Sequence, residues 1–262
     1  MKNLLDDKKY QAICQGDSTY DGIFFTAVKT TGIYCLPSCS AKNPSRENVE
    51  FFDTIDEVEI NGYRPCKKCH PKLVNIEWID GKDHIILNTP VEFSFDECMV
   101  YLDRSDIEAL HKVKDDELYK LIEVDKQLIL FKVGRAKNGL KISFLNGVPV
   151  KWIRAYVLRY VWDWFDLDTD LSKFYKEMKD DKILKALIEK YYGLRVIKID
   201  DIFEALSWAI IGQQINLKFA YTLKKRLVEK YGRGLKHEKD EFWMFPSPDV
   251  IADLEVSDLR EM

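Results

Sequence analysis

The sequence predicts an α+β chain of more than one domain: a small cysteine-paired module, then an antiparallel sheet with packed helices, then an all-α region. Three observations predict it. Four of the six cysteines fall in two close pairs before residue 73. Short β-branched and aromatic runs separated by turn dipeptides fill residues 84–146. From about Val150 the apolar period changes to that of a helix.

The first module, residues 1–73, holds Cys35, Cys39, Cys66 and Cys69, turn signals such as Asn61-Gly62, and few long apolar periods. Residues 84–199 follow. There IILNTPVEFSF, KLIEV, QLILFKV and LKISFL read as strands, with Asn138-Gly139 and Asn146-Gly147 as turns. RSDIEALHKV between them reads as one short helix. Ile153, Val157, Val161 and Trp164 are spaced four, four and three apart and share one helix face. Asp170 can cap a further helix over LSKFYKEMKDDKILKALIEKYYG, which Gly193 ends or interrupts. Residues 200–262 open with a helical stretch from Asp200 through IFEALSWAIIGQQINLKFAYTLKKRLVEKYG. Gly212 inside it marks either two helices or one with a close backbone contact. Phe203, Leu206, Trp208 and Ile210 call for a core, and Pro246 or Pro248 opens a last helix.

Composition bounds the function. The 262 residues suffice for about two domains at ~100–200 residues each. Hydrophobic residues make up 46% and charged residues 32%, an ordinary globular balance. No stretch approaches the ~20 apolar residues that span a bilayer. The N-terminus lacks an apolar h-region, so a cytoplasmic location is expected. Thiols stay reduced there, so the cysteines point to metal or catalysis rather than disulfides. Cys14 and Cys98 stand alone and read as buried small hydrophobes. The net charge of −4 argues mildly against nucleic acid, but the average hides two basic runs. Arg64–Lys72 carries four cations and no acid; Lys218–Lys236 carries seven and only Glu229 against them. Each run is either a solvated face or an anion-binding surface.

The cysteine pattern is Cys35-x3-Cys39, 26 intervening residues, then Cys66-x2-Cys69. Two cysteines a few residues apart reach one ion from a single turn, and two such pairs close a tetrahedral Zn²⁺ shell. His70 would be a fifth ligand and reads as a bystander. A zinc-bound cysteine is a thiolate, so it can act as a nucleophile without a separate base. Coordination alone does not separate a structural clip from a reactive centre.

The surrounding words do. DGIFFTAVKTTGIYCLPSCSAKNPSRENVEFF followed by NGYRPCKKCHP closely resembles the N-terminal domain of the Ada family of DNA repair proteins, over about residues 19–71. The resemblance implies that Cys35 accepts a methyl group from a methylphosphotriester in double-stranded DNA, with Cys39, Cys66 and Cys69 as the other zinc ligands. It also implies phosphate contacts from Thr31, Lys42, Arg46, Arg64 and Lys67. Leu36 departs from the family, which often carries a basic residue after the acceptor. Four thiolates and Zn²⁺ sum to −2, and a neutral triester approaches such a centre more easily than a phosphodiester. Methylation lowers the charge to −1, so affinity for DNA should rise afterwards. The family's helix-turn-helix activator segment is not read in this chain, since the strand-rich region begins instead.

PVEFSF and, most clearly, DDIFEALSWAIIGQQIN resemble AlkA-type 3-methyladenine DNA glycosylases. That resemblance implies a mixed α/β domain followed by a helix-hairpin-helix domain. Gln213 then lines the base site, and Gln214 takes the position of a wedge inserted into the stack. The hairpin and the catalytic aspartate of that family fall beyond residue 262, because Asp240, Asp249, Asp253 and Asp258 all precede it. The helical domain is therefore expected to be incomplete, to expose apolar surface, and to lack glycosylase activity. The whole chain is expected to act as a monomer on alkylated DNA. Two alternatives stay open: a non-enzymatic, zinc-stabilised DNA-binding module, or a glycosylase whose catalytic half lies outside this chain.

Overall fold

The computed structural model describes residues 6–74 and 76–260. It divides into two compact units, one reaching Glu77 and taking in Val150–Ala155, the other built on Trp78–Pro149 and the chain from Tyr156.

In the first unit, α1 (Asp6–Gln15) lays Ala12 and Ile13 against Phe24 and Val49. A hairpin joins β1 (Phe25–Val28) to β2 (Ile33–Cys35) in the register Val28↔Ile33. Gly32 takes φ +64 at its turn, a left-handed conformation that glycine adopts without cost. β3 (Val49–Phe52) flanks β1, and after α2 (Ile55–Ile60) the two-residue β4 (Arg64–Pro65) completes a sheet of order β3-β1-β2-β4. Thr54 caps α2 through the Glu57 N–H (3.2 Å), and the Glu57 side chain reaches back to the Asp53 N–H (3.3 Å). Val58 of α2 packs into Phe25, Ala27, Tyr34 and Leu36. Cys14 is exposed rather than buried, because α1 turns its Lys9, Ala12 and Ile13 face inward and leaves Cys14 on the other side.

The second unit is an antiparallel meander. β5 (Trp78–Asp80), β6 (His84–Asn88), then β7 (His111–Lys114), β8 (Glu117–Val124), β9 (Gln127–Ala136) and β10 (Gly139–Phe144) pair in the order β5-β6-β10-β9-β8-β7. The sheet thus begins at Trp78, before the expected residue 84. The β9–β10 turn has Lys137 and Asn138 at its tip, one residue earlier than the expected Asn138-Gly139, because Gly139 already pairs with Ala136 at the start of β10. Ile85, Leu87, Leu118, Leu130, Val133, Leu140 and Ile142 are fully buried on its strands. Each such side chain contributes about 1.5–3 kcal/mol of hydrophobic stabilisation.

The short helix lies elsewhere than expected. It runs over Phe95–Leu102 (α3), not over RSDIEALHKV. Ser94 caps it through the Glu97 N–H (3.3 Å), inside what reads as a strand. Glu108 folds its side chain onto the Ala109 and Leu110 N–H groups, both at 2.9 Å, which diverts that segment from helix into the approach to β7. α4 (Lys151–Trp164) buries Ile153, Val157, Val161 and Trp164 as its periodicity requires. Tyr160 of α4 meets Phe131 of β9 edge to face at 6.2 Å. The next stretch is two helices, α5 (Ser172–Met178) and α6 (Leu184–Lys190). Asp170 serves the first through the Ser172 N–H (2.9 Å). Asp181 takes the Ile183 and Leu184 N–H groups at 2.8 Å and restarts the second.

α7 (Ile202–Ile211) and α8 (Leu217–Tyr231) are separate helices, capped by Asp201 and Asn216 and broken at Gly212–Asn216. Leu206 and Ile210 do not enter a core: they are 60% and 67% exposed, beside Ile202 at 76%. The Phe203 and Trp208 side of α7 is engaged by Phe245 at 6.0 Å and Tyr221 at 5.0 Å between ring centroids. A hairpin absent from the sequence reading follows, β11 (Arg233–His237) with β12 (Asp240–Met244). Then come α9 (Pro248–Ala252), at the expected proline, and α10 (Val256–Arg260).

Candidate metal centre

One strand pairing brings the two cysteine pairs together. β2 and β4 run parallel, with Ile33 beside Arg64 and Tyr34 beside Pro65. The Arg64 N–H donates to Gly32 O at 2.8 Å and the Cys66 N–H to Tyr34 O at 2.9 Å. The next residue on each strand is a cysteine, Cys35 and Cys66. Each strand then turns on itself: Cys39 N–H bonds Leu36 O and His70 N–H bonds Cys66 O, both at 3.1 Å. Cys39 and Cys69 curl back as a result. The sulfurs of Cys35, Cys39, Cys66 and Cys69 all lie within 4.8 Å of one another, with Cys39 and Cys66 4.0 Å apart.

Tetrahedral zinc with Zn–S bonds near 2.3 Å sets its sulfurs about 3.8 Å apart, so these four fit the ion after slight contraction. No imidazole or carboxylate joins them among the described residues, and His70 is a bystander to the cluster. The thiols hydrogen-bond one another and titrate together. Hydrogen bonding from Cys35 brings Cys39 down to about 7 and depresses Cys66, while those same bonds hold the proton on Cys35. A dication at the centre favours the thiolate at all four positions.

Backbone donors are unequally shared. Cys69 Sγ accepts from the Leu36 N–H (3.3 Å), Cys66 Sγ from the Lys68 N–H (3.4 Å), and Cys39 from the Ala41 N–H. No described backbone N–H donates to the Cys35 sulfur. Two contacts missed by the sequence reading fix the ligand loop. Asp21 accepts from the Ser38 N–H (3.0 Å) and Ser38 Oγ (2.5 Å), and Lys68 Nζ donates to Ser40 O (2.7 Å). The Asp21-Gly22 turn dipeptide was the available signal for the first.

Cys35 opens onto a cleft of about 200 Å³ lined also by Thr31, Lys42, Cys39, Cys66 and the apolar Ile13 and Ile33. Thr31 and Lys42 therefore gather at Cys35. Arg64 and Lys67 are exposed on β4 and the turn after it, outside the cleft lining. Arg46 lies apart, 3.6 Å from Asp6 and 4.0 Å from Asp7, with its guanidinium over Tyr10 and Phe51. Leu36 is 8% exposed in the module's core, so no surface side chain occupies that position.

In the second unit, Gln213 and Gln214 sit exposed in the turn between α7 and α8, Gln214 with φ +59. The basic run Lys218–Lys236 is largely spent on internal pairs: Lys224 with Glu108 (2.8 Å), Lys225 with Glu229 (3.8 Å), Arg233 with Glu123 and Lys236 with Glu241 (2.9 Å). It reads in the structure as a structural face.

Fold and site together define a four-thiolate zinc module joined to a glycosylase-type α+β platform. The model of the metal binding domain of Ada matches residues 8–72, and that of the 8-oxoguanine DNA glycosylase N-terminal domain matches residues 92–206. The chain is thus similar to the Ada zinc-binding domain over its first part and to DNA glycosylases over the part that follows. It is 38% identical over 188 residues to a DNA-3-methyladenine glycosylase of Bacillus subtilis, covering 71% of this chain and 62% of that protein. It is 45% identical over 74 residues to the bifunctional transcriptional activator/DNA repair enzyme Ada of Escherichia coli, covering 28% of this chain and 21% of that protein. The chain thus spans less than two thirds of the length of these curated relatives. In fold it is similar to the 3-methyladenine DNA-glycosylase from Archaeoglobus fulgidus, at a TM-score of 0.56 and 20% identity over 71% of this chain and 61% of that one.

Proposed function

We propose that this chain repairs alkylated DNA and that Cys35 irreversibly accepts the methyl group of a DNA methylphosphotriester. The observation that carries the reading is the position of the Cys35 sulfur. It opens onto the cleft with Thr31 and Lys42, and it is the ligand whose sulfur no described backbone N–H restrains. Hydrogen bonds to a thiolate stabilise its charge and blunt its attack. Cys69, Cys66 and Cys39 carry such bonds and are suited to holding the ion.

Zinc, when bound, keeps the four sulfurs as thiolates at neutral pH. Cys35 Sγ attacks the methyl carbon, an S–C bond forms and the C–O bond breaks. The electron pair leaves with the phosphate oxygen, restoring a phosphodiester anion and leaving a thioether on Cys35. No proton moves. Lys42 sets a positive charge at the mouth of the cleft where the phosphate must lie, and Thr31 offers a hydroxyl there. Arg64 and Lys67 extend the positive surface for the flanking phosphates. Arg46 serves the DNA only by leaving Asp6 and Asp7.

The test is peptide mass spectrometry of zinc-loaded protein after incubation with methylphosphotriester DNA. One added methyl on the Cys35 peptide is expected. Zinc retained with no methylated cysteine refutes the transfer and leaves a structural clip on a DNA-binding module.

Residues 84–199 and 200–262 are proposed to add DNA contact, with Gln213 at the displaced base and Gln214 at the gap it leaves. Base release by these residues is not expected. Asp240 is held by Lys112 (2.9 Å) and Lys114 (3.4 Å), Asp258 accepts the Glu255 N–H (2.9 Å), and Asp253 ends α9. Release of 3-methyladenine from alkylated DNA by this chain overturns that part.

A further inference from the structure

The Thr26 hydroxyl oxygen is buried on β1 and has no hydrogen-bond partner among the described residues. The residue as a whole is only 3% exposed. A buried hydroxyl left unpaired costs free energy that a valine of the same shape would not. The position therefore calls for an acceptor close at hand.

The strand register identifies it. β1 pairs Thr26 with Cys35 on β2 and with Phe51 on β3. Directly opposed residues of an antiparallel pair project from the same face, their Cβ atoms about 4.5–5.5 Å apart. The face of the sheet that carries Thr26 also carries Val28, Ile33, Val49 and Phe51. Among these strand neighbours Cys35 alone has a heteroatom in its side chain. Thr26 and Cys35 line the same cleft, yet the Thr26 oxygen is closed to solvent there, so a phosphate in the cleft does not reach it. The Cys35 sulfur is the matching gap on the other strand. The sulfurs of Cys39, Cys66 and Cys69 each accept a backbone N–H, whereas the hydrogen bonds of Cys35 run to the other three thiols.

We propose that Thr26 is a positioning residue, whose hydroxyl donates to the Cys35 sulfur when zinc holds that sulfur as a thiolate. The inference rests on the reading of Cys35 as the reactive ligand and adds what aims it. A thiol is a weak acceptor, and a thiolate is a strong one. A thiolate sulfur carries three lone pairs. The metal takes one, and the hydroxyl takes a second from the β1 side. The third is left facing the cleft, where the methyl carbon approaches. Groups just outside a metal's ligand shell commonly orient its ligands in this way. The same hydrogen bond stabilises the thiolate charge and so tempers its attack on stray electrophiles.

The test replaces Thr26 in the full chain. With cobalt(II) in the site, the thiolate-to-metal charge-transfer band reports the electron density on sulfur. Thr26→Val keeps the shape and should move that band to lower energy. Thr26→Ser keeps the donor and should leave the band where the unaltered chain has it. In the zinc-loaded chain, methyl iodide should alkylate Cys35 about twofold to tenfold faster in Thr26→Val, the range set by one lost hydrogen bond, and near the unaltered rate in Thr26→Ser. Where Thr26→Val fails to fold, proton NMR of the unaltered zinc-loaded chain decides, with a Thr26 hydroxyl proton expected to exchange slowly enough to be seen. An unmoved band and an unchanged alkylation rate in folded Thr26→Val overturn the proposal. So does a Thr26→Ser chain that behaves as Thr26→Val, or a hydroxyl proton lost to rapid exchange. None of these readouts uses DNA, so a failure of methyl transfer from methylphosphotriester DNA is told apart from a failure of this hydrogen bond.

Discussion

Stripping the metal should unfold the first unit while the second survives. That unit ends at Glu77 and gathers its apolar core from small clusters around Phe24 and around Tyr34 and Leu36. At roughly 0.05–0.15 kcal/mol per residue, a unit of this size has a net stability of about 4–12 kcal/mol. A four-thiolate zinc site contributes about 10–16 kcal/mol of apparent binding energy near neutral pH. One of the ligands, Cys69, packs against the Tyr34–Leu36 core, and Cys35 lies between Tyr34 and Leu36 in the chain, so losing the ion loosens the same side chains. The metal term equals or exceeds the unit's whole stability, and the apo form is expected to be largely unfolded. The assay is limited proteolysis with and without a strong chelator, with zinc release followed by a colorimetric indicator. Cleavage should fall in residues 6–74 within the time that the region from Trp78 onward stays intact. Stoichiometric zinc release with an unchanged digestion pattern refutes the reasoning, because the sheet and α1 would then hold the fold unaided.

Further outcomes follow from the same geometry. Lys224→Met leaves Glu108 buried without its cation and should cost about 3–5 kcal/mol in urea unfolding of the second unit; adding Glu108→Gln should recover part of it. Burial holds His111 down to about 4, below its ordinary 6.5. A depressed folded value means the stabilisation is complete above pH 6.5 and is lost as pH falls towards 4. The loss amounts to about 3 kcal/mol and should be flattened in His111→Asn melts. Burial pushes the Cys98 thiol up to about 11, so iodoacetamide at pH 8 should label exposed Cys14 and spare Cys98 until the protein is denatured, as read by peptide mass spectrometry. Gln214→Gly removes a left-handed non-glycine residue and should raise stability by up to about 1 kcal/mol, while weakening DNA binding in an anisotropy titration.

The zinc ligands were legible because metal chemistry writes itself as spacing: Cys35-x3-Cys39 and Cys66-x2-Cys69 need only a turn each, and the structure supplies those turns. α4 was legible because its buried face repeats every three to four residues. The errors share one cause. Side chains of Ser94, Glu108 and Asp181 bond nearby backbone N–H groups and decide where a helix starts or is refused, and apolar pattern does not register such bonds. The β11–β12 hairpin escaped because its strands carry Lys, Arg, Asp and Glu, leaving little alternation to read. Leu206 and Ile210 were assigned to a core on composition, which says that a helix has an apolar face but not that anything covers it. The residues expected to contact phosphate are gathered only in part. Thr31 and Lys42 meet Cys35 in one cleft, whereas Arg46 is engaged by Asp6 and Asp7 through an approach made in three dimensions.

The parallel β2–β4 pairing imposes a parity rule on the gene. Cys35 and Cys66 each stand one step past the last paired residue, and alternate residues of a strand face opposite ways. Inserting or deleting a single codon within Ile33–Cys35 or Arg64–Cys66 would swing a sulfur to the opposite face, whereas the stretch from Ser40 to Ser45 has no strand partner to fall out of step with. Length drift in this module should therefore accumulate between the cysteine pairs and be purged from the strands that deliver them. Laboratory libraries of single-residue insertions, selected for retained zinc, would sort along the same line.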